Sequence, residues 1–238
     1  MMLAWLVALG FGVLATGFAR GAYHALPRPQ PLEELSYYPS GNHVRPATLG
    51  HAETAADFAW MRAVQYYGEH RNSDNRFTRM NHIFDILNTL SPHFIGAYVF
   101  GAFALAQEGR DFDAAEKLMM KGLENNPTSG SLAFELGFLY YVRPGGRQLS
   151  RAAEFFEQAS HQADGPPQSA RFAAFARQHS GNLAVAYELW SNVKESSGNE
   201  ALRDMAEREM QRIRRALDSG RSDLAVKRLT TPQVLLNR

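Results

Sequence analysis

The sequence predicts an all-α protein, an α-solenoid of stacked helical hairpins behind one N-terminal helix of membrane-spanning length. Three observations point there. From residue 51 onward apolar residues recur at helical spacing, with no convincing strand pair. The breaks between those stretches carry Pro or Gly, as at Ser91-Pro92, Asn126-Pro127 and Gly165-Pro166-Pro167. One signature recurs at offsets of 37 and 34 residues: Ala115, Met119 and Gly122, then Ala152, Phe156 and Ala159, then Ala186, Trp190 and Val193. A small residue, a large apolar one and another small or apolar one suit the second helix of a repeated hairpin. The small side chain lets the neighbouring helix approach, and the large one fills the groove opposite.

Composition bounds the chemistry. The chain has 238 residues, a formal net charge of +1, 45% hydrophobic and 21% charged residues. A sizeable core is therefore available and wholesale disorder is excluded. A pI of about 8.1 without a clustered basic face gives no reason to expect nucleic acid. The absence of cysteine excludes disulfide frameworks, thiolate metal sites, iron–sulfur clusters, c-type haem attachment and thiol nucleophiles.

Taken in order, residues 1–19 (MMLAWLVALGFGVLATGFA) carry no charged side chain. As a helix they would be about 29 Å long, close to the roughly 30 Å of a bilayer's hydrocarbon core. A retained anchor, a signal peptide cut near Gly17 or Ala19, and a buried soluble helix are the open readings; the lack of Lys or Arg before the apolar run favours the anchor. Residues 20–50 hold Pro27, Pro29, Pro31, Pro39 and Pro46 and read as an extended tether, partly docked through its tyrosines. Residues 51–91 read as a degenerate helix pair, with Ala56, Trp60, Ala63 and Tyr67 on one face. Residues 92–198 read as three hairpins, with helices over Phe94–Ala106, Ala114–Leu123, Ser131–Val142, Arg151–Ser160, Ala170–His179 and Leu183–Val193. Residues 199–217 form the polar capping helix that such stacks require, with Arg203/Glu207 and Asp204/Arg208 as i,i+4 pairs. Residues 218–238 are a basic tail, expected to cap the stack, reach a partner or lie near anionic lipid.

The Leu136-Gly137 and Tyr140 spacing, the Phe100-Gly101 pair and Pro127 resemble the tetratricopeptide repeat, whose period is about 34 residues. More specifically, the segments YYPSG, RPATLGHAETAADFAWMRAVQYYGEHR, LSPHFIGAYVFGAFAL and LGFLYY are similar to those of a group of membrane-anchored bacterial tetratricopeptide-repeat proteins. That resemblance implies membrane anchoring more than any activity.

A search for catalytic and metal-binding patterns finds nothing positive. No helical histidine pair has metal-ligand spacing. Glu69-His70-Arg71 ends a helix, where cations suit the dipole. Arg143-Pro-Gly-Gly-Arg147 is a basic turn that could form an anion nest but reads better as a connection. No catalytic residue, cofactor or metal is expected.

The informative feature is apolarity on two faces. Phe94–Ala106 contains no charge, and Ser131–Val142 contains only Glu135. A surface helix should show one apolar stripe. Ala133, Leu136, Gly137 and Tyr140 supply the packing stripe, leaving Phe134, Phe138 and Tyr141 as a second one. In this architecture that stripe lines a concave groove, extended by Tyr98 and Leu105 before it and Arg171, Phe175 and Gln178 after it. Met61 and Gln65 continue it if 51–91 stacks as a repeat. The alternative is that the tether or the tail covers this face. An open groove fits an apolar or amphipathic element of a partner protein. The expected role is therefore a non-enzymatic scaffold or assembly factor in a membrane or envelope complex, held to the lipid bilayer of a bacterial inner membrane by residues 1–19. A permanent structural subunit and an envelope enzyme are the alternatives. Arg20 and Arg28 after the apolar segment favour a cytoplasmic body, whereas the resemblance and the missing cysteines favour an extracytoplasmic one.

Overall fold

The computed structural model describes residues 14–21 and 39–219. Two compact units divide the chain, Met1–Pro39 and Ser40–Arg238. In the first, residues 14–21 are helical and Leu14 and Phe18 are exposed. The expected membrane segment is thus described only from residue 14; its first thirteen residues, positions 22–38 of the tether and the tail from 220 lie outside the described residues. Among the described residues no helix is long and apolar enough to cross a membrane.

The second unit is all-helical over its described residues: α1 (Gly41–Ala47), α2 (Ala52–Arg71), α3 (Met80–Leu90), α4 (Ile95–Gln107), α5 (Phe112–Asn125), α6 (Gly130–Tyr141), α7 (Leu149–Ser160), α8 (Ser169–His179), α9 (Leu183–Ser196) and α10 (Glu200–Asp218). From α2 to α10 each helix packs on the next; α1 packs on α3, and α4 also meets α6. From residue 92 onward the helices start and stop close to where the Pro/Gly breaks place them. Side-chain caps fix several starts. Asp111, Ser129 and Asn199 accept from the backbone N–H of Ala114, Leu132 and Leu202 at 2.9, 3.3 and 3.3 Å.

The repeated signature is the core. Ala115, Met119, Ala152, Phe156, Ala159, Ala186 and Trp190 are fully buried. Gly137 shows why a small residue faces the large one: a Cβ there would lie 2.8 Å from the Phe156 ring and 3.1 Å from the Ala152 carbonyl oxygen. Phe156 thus seats against bare backbone, and α6 and α7 close on each other through that contact.

Three expectations are corrected. The tether was expected to be extended through residue 50, but 41–47 is helical despite Pro46. Gly41 makes this possible, because a Cβ at that position would sit 2.5 Å from the Thr89 Cβ; the bare backbone of α1 lies directly on α3. Glu207 does not pair with Arg203. It pairs with Lys194 of α9, while Arg203 donates to the Ser197 carbonyl at 3.0 Å. Asp204 and Arg208 form no ion pair among the described residues. The buried stripe of α10 (Ala206, Glu209, Met210, Ile213, Ala216) sets that rotation and turns Glu207 toward α9.

Candidate functional site

The residues expected to line the groove separate into two classes. Tyr98, Leu105, Phe134 and Gln178 are buried and belong to the packing. The Tyr98 hydroxyl accepts from the Asn125 amide at 3.2 Å, and burial pushes its pKa up. The Phe134 ring packs on Phe156 and Phe172 at 5.2 and 5.5 Å. The Gln178 amide accepts from the Trp190 indole N–H and donates to Glu209, each at 2.8 Å, and Arg212 holds the same carboxylate at 2.9 Å. The expected groove was therefore too broad. On α4 the partly exposed line runs through Val99 and Phe103, not Tyr98 and Leu105. One residue along a helix turns the face by about 100°.

Phe138, Tyr141, Arg171 and Phe175 are half-buried, and Met61 and Gln65 are exposed. Met61 shares an outward ridge of α2 with Phe58 and Val64. Between α2 and α8 the half-buried rings form a ladder across alternate helices. Trp60 of α2 meets Phe100 of α4 edge-on at 5.4 Å. Phe103 of α4 meets Phe138 of α6 at 6.1 Å. Phe138 and Tyr141 meet Phe172 of α8 at 6.5 and 6.1 Å.

At its far end the ladder opens. Tyr141, Arg171, Phe172, Phe175 and Met205 line a cleft of about 230 Å³. Each wall has its own support. Phe175 is braced edge-on by Trp190 at 5.9 Å and stacked on His179 at 4.7 Å. Phe172 also rests on Phe156 at 5.3 Å, so the hairpin core holds the cleft floor. Met205 comes from α10, which is tied to α8 through Gln178 and Glu209. The basic turn after α6 reaches the Tyr141 wall through Arg147. With Gly145 and Gly146 at φ +84° and +151°, it places the Arg147 guanidinium 5.2 Å from the Tyr141 ring centre, and Arg143 lies 4.3 Å from that of Phe112.

Phe172 and Met205 are the cleft residues that sequence reasoning missed. Phe172 had a signal: it lies three residues before Phe175, on the next turn of the same helix. Met205 has no such signal, because its helix lies beyond the repeated signature.

Other polar groups near the ladder are accounted for structurally. The Tyr140 hydroxyl donates to Glu116 at 2.6 Å, and burial together with that carboxylate raises its pKa. Asp164 accepts from the Gly130 N–H at 2.7 Å and from the Ser129 hydroxyl at 3.2 Å, which holds its carboxyl below the usual range. It covers the N-terminus of α6 from the α7–α8 loop. His70, in the last turn of α2, is buried with Nδ1 2.5 Å from Asp74, and Arg71 reaches Glu108. Desolvation raises the pKa of half-buried Glu135. Among the described residues no three His, Asp or Glu side chains converge as a metal-holding group. The site therefore offers aromatic and thioether surface with cationic edges, suited to holding an apolar group. Compared with family models and with curated proteins, the chain matches none.

Proposed function

We propose that this chain is a tetratricopeptide-like helical scaffold or assembly factor that binds an apolar or amphipathic element of a partner in a membrane or envelope complex. The repeat spacing and the sequential packing of α2 to α10 support a stack of hairpins. The uncharged segment 1–19 supports an anchor in a bacterial inner membrane, and holding the body at the bilayer raises its effective concentration near membrane partners. The action is capture rather than chemistry.

The observation that carries this reading is the cleft of Tyr141, Phe172, Phe175 and Met205, where among the described residues half-buried rings border a space that no helix fills. Rigid aromatic side chains held by a packed core contribute contact area at low entropic cost. A double variant, Tyr141→Ser with Met205→Ser, tests it. Affinity capture of the full-length protein from detergent-solubilised native membranes should lose its specific partner, with helix content by circular dichroism unchanged. Unchanged capture by the folded variant would contradict the groove. Stoichiometric co-purification of the wild type through detergent would make it a permanent subunit. A reporter fused to the C-terminus reads on which side of the membrane the body lies.

A further inference from the structure

The cleft has a charge sign that points to its occupant. Among the described residues that line it, Arg171 alone is charged, and its guanidinium lies 5.6 Å from the centre of the Phe172 ring. Outside that lining, the Arg147 guanidinium lies 5.2 Å from the centre of the Tyr141 ring, which does line the cleft. Four guanidinium groups elsewhere are held by carboxylates. Arg71, Arg151, Arg177 and Arg212 reach Glu108, Glu116, Glu157 and Glu209. Among the described residues neither Arg147 nor Arg171 makes an ion pair or a hydrogen bond. A guanidinium laid on a ring keeps the N–H groups of its edge free for an acceptor. Covering the rings would also remove water from both arginines, which strengthens any charge-assisted hydrogen bond they make.

Size and backbone geometry narrow the ligand further. The cleft, about 230 Å³, is smaller than the roughly 300–1,000 Å³ of small-molecule sites, so it suits one or two apolar side chains rather than a cofactor. Among the described residues no strand edge exists for an extended peptide to join, and a helix can present one apolar side chain with carboxylates on the flanking turns, which fits a short cleft beside two guanidinium groups. The chain's own segment 220–238 carries Arg221, Lys227, Arg228 and Arg238 against Asp223, the wrong sign for these arginines.

We infer that the cleft takes an acidic amphipathic helix of a partner protein, an inference that rests on the groove reading above. An apolar side chain of that helix enters between Tyr141, Phe175 and Met205. Carboxylates on its flanking turns accept hydrogen bonds from Arg147 and Arg171.

The test uses the full-length protein and two fluorescent stapled helices. One carries a Leu face flanked by Glu, and the other is its copy with every Glu replaced by Gln. By fluorescence anisotropy at low salt the Glu helix should bind about tenfold more tightly than the Gln helix, with the advantage shrinking as salt rises. In R147Q/R171Q, folded by circular dichroism, the two helices should bind alike, at the wild-type affinity for the Gln helix. Equal binding of both helices to the wild type overturns the charge assignment and leaves the apolar groove standing. Failure of both helices to bind the folded wild type overturns both readings. Displacement of the Glu helix by a synthetic 220–238 peptide assigns the cleft to the chain's own tail and overturns the partner. Concentration-dependent self-association abolished by R147Q/R171Q assigns it to a second copy and does the same.

Discussion

Two stretches of the aromatic ladder differ in what closes them. Between α4 and α6, Phe103 and Phe138 meet ring to ring, and α4 packs directly on α6. Between α6, α8 and α10, Tyr141 and Phe172 meet as well, but Phe175, Arg171 and Met205 stand back and leave a cleft. The chemistry of the rings is alike in both places. What differs is the neighbour: Phe103 of α4 meets Phe138 directly, whereas beyond Phe172 the space is bordered by Arg171, Phe175 and Met205 without being filled. Aromatic content alone therefore does not distinguish packing from docking. The next element in the chain decides it.

That contrast can be broken from the packing side first. Phe156→Ala removes the fully buried ring that seats against Gly137 and supports Phe172. It should cost about 3–5 kcal/mol in urea unfolding. Gln178→Leu should cost about 1–3 kcal/mol, because it leaves the Trp190 N–H without an acceptor and the buried Glu209 carboxylate on Arg212 alone. It should also loosen α10 and with it the Met205 wall of the cleft.

Asp164→Ala should cost about 1 kcal/mol by uncapping α6, a modest effect because the side chain is exposed. Its folded pKa lies below the ordinary value, so the cap stabilises fully above the unfolded carboxylate pKa. As pH falls through the folded pKa, protonation removes that contribution. The stability gap between wild type and Asp164→Ala should close on acidification, which chemical denaturation at several pH values would measure. A gap that persists at acid pH would mean that charge is not what caps the helix. Smallest in stability is Tyr141→Ala, expected to cost about 1 kcal/mol because its ring is only half-buried and meets its neighbours at ring-centre distances of 6.1–6.4 Å. Its effect should appear in binding instead. A large loss of stability at Tyr141 would return that residue to the packing class.

The same contrast marks what the sequence could reveal. From residue 92 onward the helices were legible because Pro and Gly punctuate them and Asp111, Ser129 and Asn199 cap them. The second-helix cores were legible because their small–large–small pattern repeats, as at Ala152, Phe156 and Ala159. The outward register of α4 was not. Its thirteen residues carry no charge, so periodicity marks no solvent face, and Tyr98 could not be told from Val99. Gln178 carries no local sign of burial, because a polar side chain in a helix usually faces out. Its buried partner Glu209 lies 31 residues away, beyond any local pattern. The helix α1 was hidden by Pro46, since the closeness of Gly41 to Thr89 is a tertiary fact. Of the cleft, Tyr141, Arg171 and Phe175 were legible, and Phe172 and Met205 were not.

Site-specific photo-cross-linking in native membranes tests the docking cleft most directly. A photoreactive phenylalanine is placed in the full-length protein at Tyr141, at Met205, or at exposed Met120 on α5, away from the cleft. The cleft positions should both yield one shared partner adduct, lost on adding Arg147→Gln and Arg171→Gln, and Met120 should not yield it. Adducts of equal yield from all three positions, or none from Tyr141 and Met205, would contradict a docking cleft.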